Sequence, residues 1–255
     1  MAQTTYKDLL EAGSHFGHLT RKWDPKMAPY IFMEKNGIHI IDLNKTLVSL
    51  EYAATAIRNI AKSGRKIMFV ATKKQAQEIV TTEAERLKMP FVTDRWLGGM
   101  LTNFATVRKS LKKMSTIDKM VKENTAYAAL AKREKLMMSR ERAKLDRVLG
   151  GIADLGRLPA ALFVVDVKRE HIAVKEAHKL GIPVFAMCDT NSNPELVQFP
   201  IPANDDASKS IQLIVGIIGK AIEEGLSERK VDKEDADRKE ADEAAIAEKT
   251  AADEE

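Results

Sequence analysis

Two short runs in this chain set a cation beside an indole, at Arg21-Lys22-Trp23 and at Arg95-Trp96. Guanidinium and ammonium groups bind phosphate oxygens, and an indole face stacks on an unpaired base, so each run has the chemistry to grip RNA. Packing of Trp23 and Trp96 at a domain edge is the competing reading. A different chemistry is offered by His15 and His18, which flank Phe16-Gly17 ahead of a polar loop. If other loops bring Asp189 or Asp205 to them, imidazole and carboxylate together suit a structural zinc ion. The third group is larger. Arg108, Lys109, Lys112 and Lys113 cluster in one stretch, and Lys132, Arg133, Lys135, Arg140, Arg142 and Lys144 in the next.

These basic stretches belong to one segment. From Phe104 to Gly150 there are 13 Lys/Arg against 5 Asp/Glu, a local charge of +8, whereas residues 228–255 carry 12 Asp/Glu against 6 Lys/Arg, a charge of −6. The whole chain is only +4. Most of the positive charge of the part ahead of the tail is therefore concentrated on one segment. That pattern points to a polyanion, because lysine and arginine gain by displacing counterions condensed on phosphates.

Enzyme chemistry finds little support. The run Val70-Ala71-Thr72-Lys73-Lys74-Gln75 has no glycines where a phosphate-cradling loop needs them, and neither GxxxxGK[ST], GxGxxG nor HExxH occurs. Cys188 has no activating neighbour in sequence and reads as a buried thiol. His171 and His178, with Glu170 and Glu176 nearby, read as a solvated helix face. Thr72, Asp94, Asp166 and Asp189 fall at expected strand ends, where aspartate also serves as a helix cap.

The elements that must position these groups follow from periodicity. Tyr6 to Ala12 reads as a first helix, and Ile31 to Ile41 as a hairpin around Asn36-Gly37. Leu47, Leu50, Ala54, Ile57 and Ile60 mark a second helix from Asn44. Apolar runs at 67–71, 91–92, 161–165 and 184–187, with a weaker one around Phe199-Pro200-Ile201, suit strands buried on both faces. Helical stretches at 73–88, 170–180 and 207–224 alternate with them, which predicts a mostly parallel sheet with helices on both sides.

Between the second and third of these strands lies the basic segment. Phe104, Val107, Leu111, Met114, Ile117 and Val121 form one apolar stripe, and Leu130, Met137, Leu145, Val148, Ile152 and Leu155 a second. The pattern breaks around Lys122-Glu123-Asn124-Thr125, which predicts an antiparallel helical hairpin of coiled-coil type projecting about 30 Å. Gly98-Gly99 and Gly150-Gly151 flank it and read as hinges. The expected organisation is an α/β domain over 1–103 and 151–226, a basic hairpin over 104–150 and a disordered acidic tail over 227–255.

Composition fits this plan. Hydrophobic residues are 44% of the chain, enough for a core, and charged residues 31%, high for a plain enzyme. Aromatics are 5%, which argues against a stacking platform for single strands. The single cysteine excludes an intrachain disulfide and fits a reducing compartment. Neither a signal-like apolar start nor a run of about 18 apolar residues is present, so the expectation is a cytoplasmic protein without a membrane segment.

At this point a resemblance becomes specific. Leu9 to His18, then Trp23, Pro25, Lys26 and Met27, resemble the opening of the universal small-subunit ribosomal protein S-two family, bacterial type. Phe69 to Lys73, Arg95 to Asn103, Pro159 to Asp166 continuing to Glu176-Ala177, Gly181 to Pro183, Asp189 to Asn191 and Ile201 to Asp205 extend it in collinear order over roughly residues 5–226. The resemblance implies a flavodoxin-like α/β/α sandwich with a mostly parallel five-stranded sheet and an inserted coiled-coil hairpin. It implies no enzymatic activity. It also implies a place in the small ribosomal subunit, contacts with rRNA and neighbouring ribosomal proteins, and help in docking the mRNA-binding ribosomal protein one. A homo-oligomer is not expected. The expected RNA-contacting set is Arg21, Lys22, Trp23, Arg95, Trp96, Asn103, Arg108, Lys109, Lys112, Lys113, Lys132 and Arg133. Two other readings compete: a nucleotide- or metal-dependent enzyme at the strand ends, and a scaffold whose hairpin meets an acidic protein.

Overall fold

The computed structural model describes residues 5–123 and 130–252, with side chains from 5–122 and 130–234. Alternation of apolar side chains along the strands decides the layers. Phe69, Ala71, Phe163, Val165, Phe185 and Met187 point to one side of the main sheet, and Met68, Val70, Leu162, Val164, Ala186 and Cys188 to the other. Both sets are buried, so each strand needs cover on both faces.

The strands of that sheet are β4 (Ile67–Val70), β5 (Phe91–Val92), β6 (Ala161–Val165), β7 (Val184–Cys188) and β8 (Phe199–Pro202). All pair in parallel in the order β5-β4-β6-β7-β8. Counted within this sheet the order is 2-1-3-4-5, the flavodoxin-like arrangement, and its reversal point lies between β4 and β6. Helices α2 (Leu43–Lys62), α3 (Lys74–Arg86) and α7 (Ser208–Ala252) cover the face bearing the three phenylalanines. The opposite face takes α6 (His171–Lys179), the 3₁₀ turn Gly150–Ile152 and the hairpin helices α4 (Phe104–Glu123) and α5 (Lys132–Leu149). Helix α1 (Tyr6–Glu11) packs on α2.

A second, antiparallel sheet orders β1 (Phe16–Leu19), β3 (Ile38–Ile41) and β2 (Ile31–Lys35) as β1-β3-β2. Asn36 and Gly37 turn the β2–β3 hairpin with φ of 53° and 73°, the left-handed pair that a tight two-residue turn requires.

Several expectations change. The stripe Val107, Leu111 and Met114 is buried in the same cluster as Leu149, Ile152 and the strand residues, so the hairpin is rooted in the core. On α5 the half-buried positions are Lys135, Met138, Arg142, Leu145 and Val148, while Met137 is 61% exposed. The seam thus keeps the predicted Leu145 and Val148 but takes Met138 in place of Met137, and the Arg142 head is turned aside to Asp118. Gly151 is no hinge: a Cβ there would lie 2.3 Å from the Phe91 carbonyl oxygen, so the chain passes tightly against β5. Residues 124–125 of the predicted break lie outside the described residues, and Lys122-Glu123 still belong to α4. Finally, the segment expected to be disordered continues α7 to Ala252. Its Ala, Glu and Lys are strong helix formers, and Glu228 and Asp232 pair with Lys62 on α2.

Candidate functional site

The loops leaving the C-terminal ends of the strands bring charged side chains together at the reversal point. His18 Nδ1 lies 2.9 Å from Asp189 and its Nε2 3.4 Å from Asp206. Lys73 extends from the end of β4 to reach Asp205 at 2.5 Å, Asp206 at 2.6 Å and Asp166 at 3.5 Å. Burial works against the Lys73 charge, but Asp205, Asp206 and Asp166 outweigh it and hold the ammonium above its ordinary value. Burial and the neighbouring Asp166 and Asp189 push the Asp205 carboxyl up. The hydrogen bond that Asp189 accepts from His18 raises the pKa of the imidazole.

Ligand atoms of His18, Asp189, Asp205 and Asp206 all lie within 4.8 Å of one another. Of the predicted metal set, His18, Asp189 and Asp205 meet; His15 does not, and Asp206 takes its place. His15 lies in the turn ahead of β1, its ring against that of Phe16 with centroids 4.0 Å apart, whereas His18 lies within the strand. His15 Nδ1 is instead buried without a hydrogen-bond partner, and burial lowers its affinity for a proton. The donor set, one imidazole and three carboxylates, fits zinc, and Asp205 Oδ2 is buried with no hydrogen-bond partner.

Two buried carboxylates fix the loops beside this cluster. Glu170 accepts hydrogen bonds from the Thr72 N–H and hydroxyl, and burial raises its pKa. Glu176 accepts from the N–H groups of Gly99 (2.7 Å), Leu101 (3.0 Å) and Thr102 (3.0 Å), the Thr102 hydroxyl and the Trp96 indole N–H (3.2 Å). Burial opposes its charge, but the donors of Thr102, Gly99 and Leu101 prevail and hold the carboxyl below the usual range. Glu176 therefore gathers the segment that launches α4. Neither glutamate belongs to a solvated face, as their spacing beside His171 and His178 had suggested. Trp96 is corrected as well: 7% exposed and bonded to Glu176, it cannot stack on a base. Cys188 is fully buried, which pushes its thiol pKa up and leaves it inert.

The remaining cations sort by whether they already have a partner. Lys113 pairs with Glu141, Arg142 with Asp118 and Asp146, and Arg147 with Asp94, ties that join the hairpin helices to each other and to the sheet. The side chains of Arg108, Lys109, Lys112, Lys132 and Arg133 are exposed and have no hydrogen bond or ion pair among the described residues. The same holds for Arg21, Lys22 and Arg95. Trp23 is 38% exposed and leans on His39, ring centroids 5.1 Å apart. Asn103 immediately precedes α4, its side-chain oxygen accepting from the Thr106 hydroxyl at 2.9 Å. On the small sheet Phe16, Leu19, Phe32 and Met33 are exposed, Phe32 to 69%.

A flavodoxin-like sheet without a phosphate-binding loop, carrying a rooted helical hairpin with a row of unspent cations, defines a binding protein of the α/β class. The family model described as Ribosomal protein S2 matches residues 9–225, and the chain belongs to that family. It is 70% identical over 239 residues, 94% of each chain, to "Small ribosomal subunit protein uS2" of Cytophaga hutchinsonii. It is also 64% identical to the protein of that name from Flavobacterium psychrophilum (89% of this chain, 85% of the relative) and 60% identical to that of Parabacteroides distasonis (93% and 85%). The family is structural and not enzymatic. Among the described residues no helix is long and apolar enough to cross a membrane.

Proposed function

We propose that this chain is a structural constituent of the cytoplasmic small ribosomal subunit, anchored through the basic hairpin on rRNA phosphates. The observation that carries the reading is the exposed, unpartnered set Arg108, Lys109, Lys112, Lys132 and Arg133 on one projecting element. Arg21, Lys22, Arg95 and the half-open face of Trp23 add a second contact. Such phosphate contacts position rather than specify, so selectivity comes from RNA shape.

The test is charge reversal. Removing 104–149 outright would take Val107, Leu111, Met114 and Leu149 out of the core, so loss of binding would prove nothing. The triple variant Arg108→Glu, Lys109→Glu, Lys112→Glu leaves the core and the Lys113–Glu141 tie in place. In sucrose gradients it should leave the small-subunit fraction at lower salt, with the log–log salt slope reduced by about one per lost contact. Co-sedimentation at unchanged salt would overturn the reading.

Two finer roles belong to the same proposal. The exposed apolar side chains on the small sheet support a protein contact, and we assign Phe32, the most exposed of them, to docking the mRNA-binding ribosomal protein one. Phe32→Ser should deplete protein one from purified subunits while this chain stays. The strand-end cluster is assigned to structural zinc, on the strength of the unpartnered Asp205 Oδ2. Elemental analysis should find about one zinc per purified chain, lost in His18→Ala; no zinc in either would remove the assignment.

A further inference from the structure

Helices α2 and α7 lie side by side and run in the same direction, as the pairs Arg58–Glu224 and Lys62–Glu228 show. Between them and α1 opens a groove of about 1040 Å³. Its floor is apolar, with half-buried Leu47, Leu213 and Ile217. Its rims are charged with opposite sign. Glu51 on α2, with Asp8 and Glu11 on α1, lines one side; on α7 Lys209 and Lys220 line the other, together with Glu224, whose charge is already met by Arg58. Glu51, Lys209 and Lys220 have no ion pair among the described residues.

The glycines of α7 supply an independent sign. A glycine inside a helix is costly relative to alanine, so each needs a reason. For Gly225 it is the Arg58 backbone carbonyl oxygen, which would lie 2.4 Å from an added Cβ, and at Gly219 a Cβ would have to displace the Glu83 side chain. Gly216 has none: a Cβ there would meet nothing within 4 Å. Its open space is the groove itself.

We propose that this groove receives an amphipathic α-helix of a neighbouring small-subunit protein, its backbone closest at Gly216. This rests on the reading that the chain works inside the subunit. The apolar floor favours a protein over RNA, and the rims set the partner's chemistry. Lysine or arginine along one edge of its helix faces Glu51 and Glu11, and aspartate or glutamate along the other faces Lys209 and Lys220. Lys209 to Lys220 spans about 16 Å of helix, so about three turns of the partner are engaged.

A photo-crosslinking p-benzoylphenylalanine at the exposed groove position Gln212 provides the test, in subunits assembled with the full chain. Illumination should yield one crosslinked peptide from another subunit protein, with that two-edged charge pattern, and Gly216→Trp should abolish it. Separately, Gly216→Ala should raise the melting temperature of the free chain by roughly 2 °C. A lowered melting temperature would show that the glycine serves the chain's own packing and would overturn the proposal. So would crosslinking to rRNA or to a second copy of this chain, a crosslink unaffected by Gly216→Trp, or no crosslink in subunits that contain the chain. If the chain does not co-sediment with the subunit at all, the ribosomal reading itself falls, and this one with it.

Discussion

A single carboxylate, Glu176, holds the point where the chain leaves the sheet for the hairpin. It accepts from five donors spread over Trp96 to Thr102. Glu176→Ala would leave these donors without their acceptor, at a cost of about 3 kcal/mol, measurable by urea unfolding at pH 7. The pH dependence has a definite sign. Because the folded pKa lies below the ordinary glutamate value, the stabilisation is present above about pH 4.3 and is lost as pH falls through the folded value. The stability gap between the parent and Glu176→Gln should therefore narrow on acidification below that range; a gap that widens would show the carboxyl is not held ionised. None of this could be read from spacing, since Trp96 and Glu176 are 80 positions apart. The strand-end cluster was legible in part. Asp189 and Asp205 follow apolar runs and so fall where such sheets gather side chains. Lys73 obeys the same rule, but a lysine after a strand looks like any surface charge until three carboxylates surround it.

Among the elements, the hairpin shows what periodicity can and cannot tell. The α4 stripe is clean, because Val107, Leu111, Met114 and Ile117 are all buried and charged residues keep to the other faces. On α5 a charged residue, Arg142, occupies the seam with its head bonded to Asp118 at 2.9 Å, and this masks the stripe. Two adjacent methionines then compete, and apolar spacing alone favours the wrong one. Leu111→Ala should cost about 3 kcal/mol, whereas Met137→Ala should change stability by no more than about 0.5 kcal/mol. Thermal melts of the two variants distinguish this seam from the predicted one. A comparable loss in both would return Met137 to the interior. The same partner accounting separates Lys113, spent within the hairpin, from Lys109 and Lys112, which remain free for phosphate.

For the molecule as a whole, five apolar runs alternating with helical stretches were enough to foresee a parallel sheet covered on both sides. They were not enough to foresee the tail, because low hydrophobicity argues against a core but not against a helix that simply continues one already anchored. The pairing of the two central strands carries a further consequence. Ile67 of β4 is in register with Ala161 of β6, and the entire hairpin lies between them in sequence. The innermost contact of the sheet is thus among its most distant along the chain, which slows folding. During synthesis, at about 5–20 residues per second, the hairpin emerges about one to three seconds before the strand that completes its foundation. For that interval β4 has a bare edge toward the missing β6, and the basic helices are already out among nascent and ribosomal RNA. The order of manufacture places the most basic part of the molecule ahead of the strand on which it is seated.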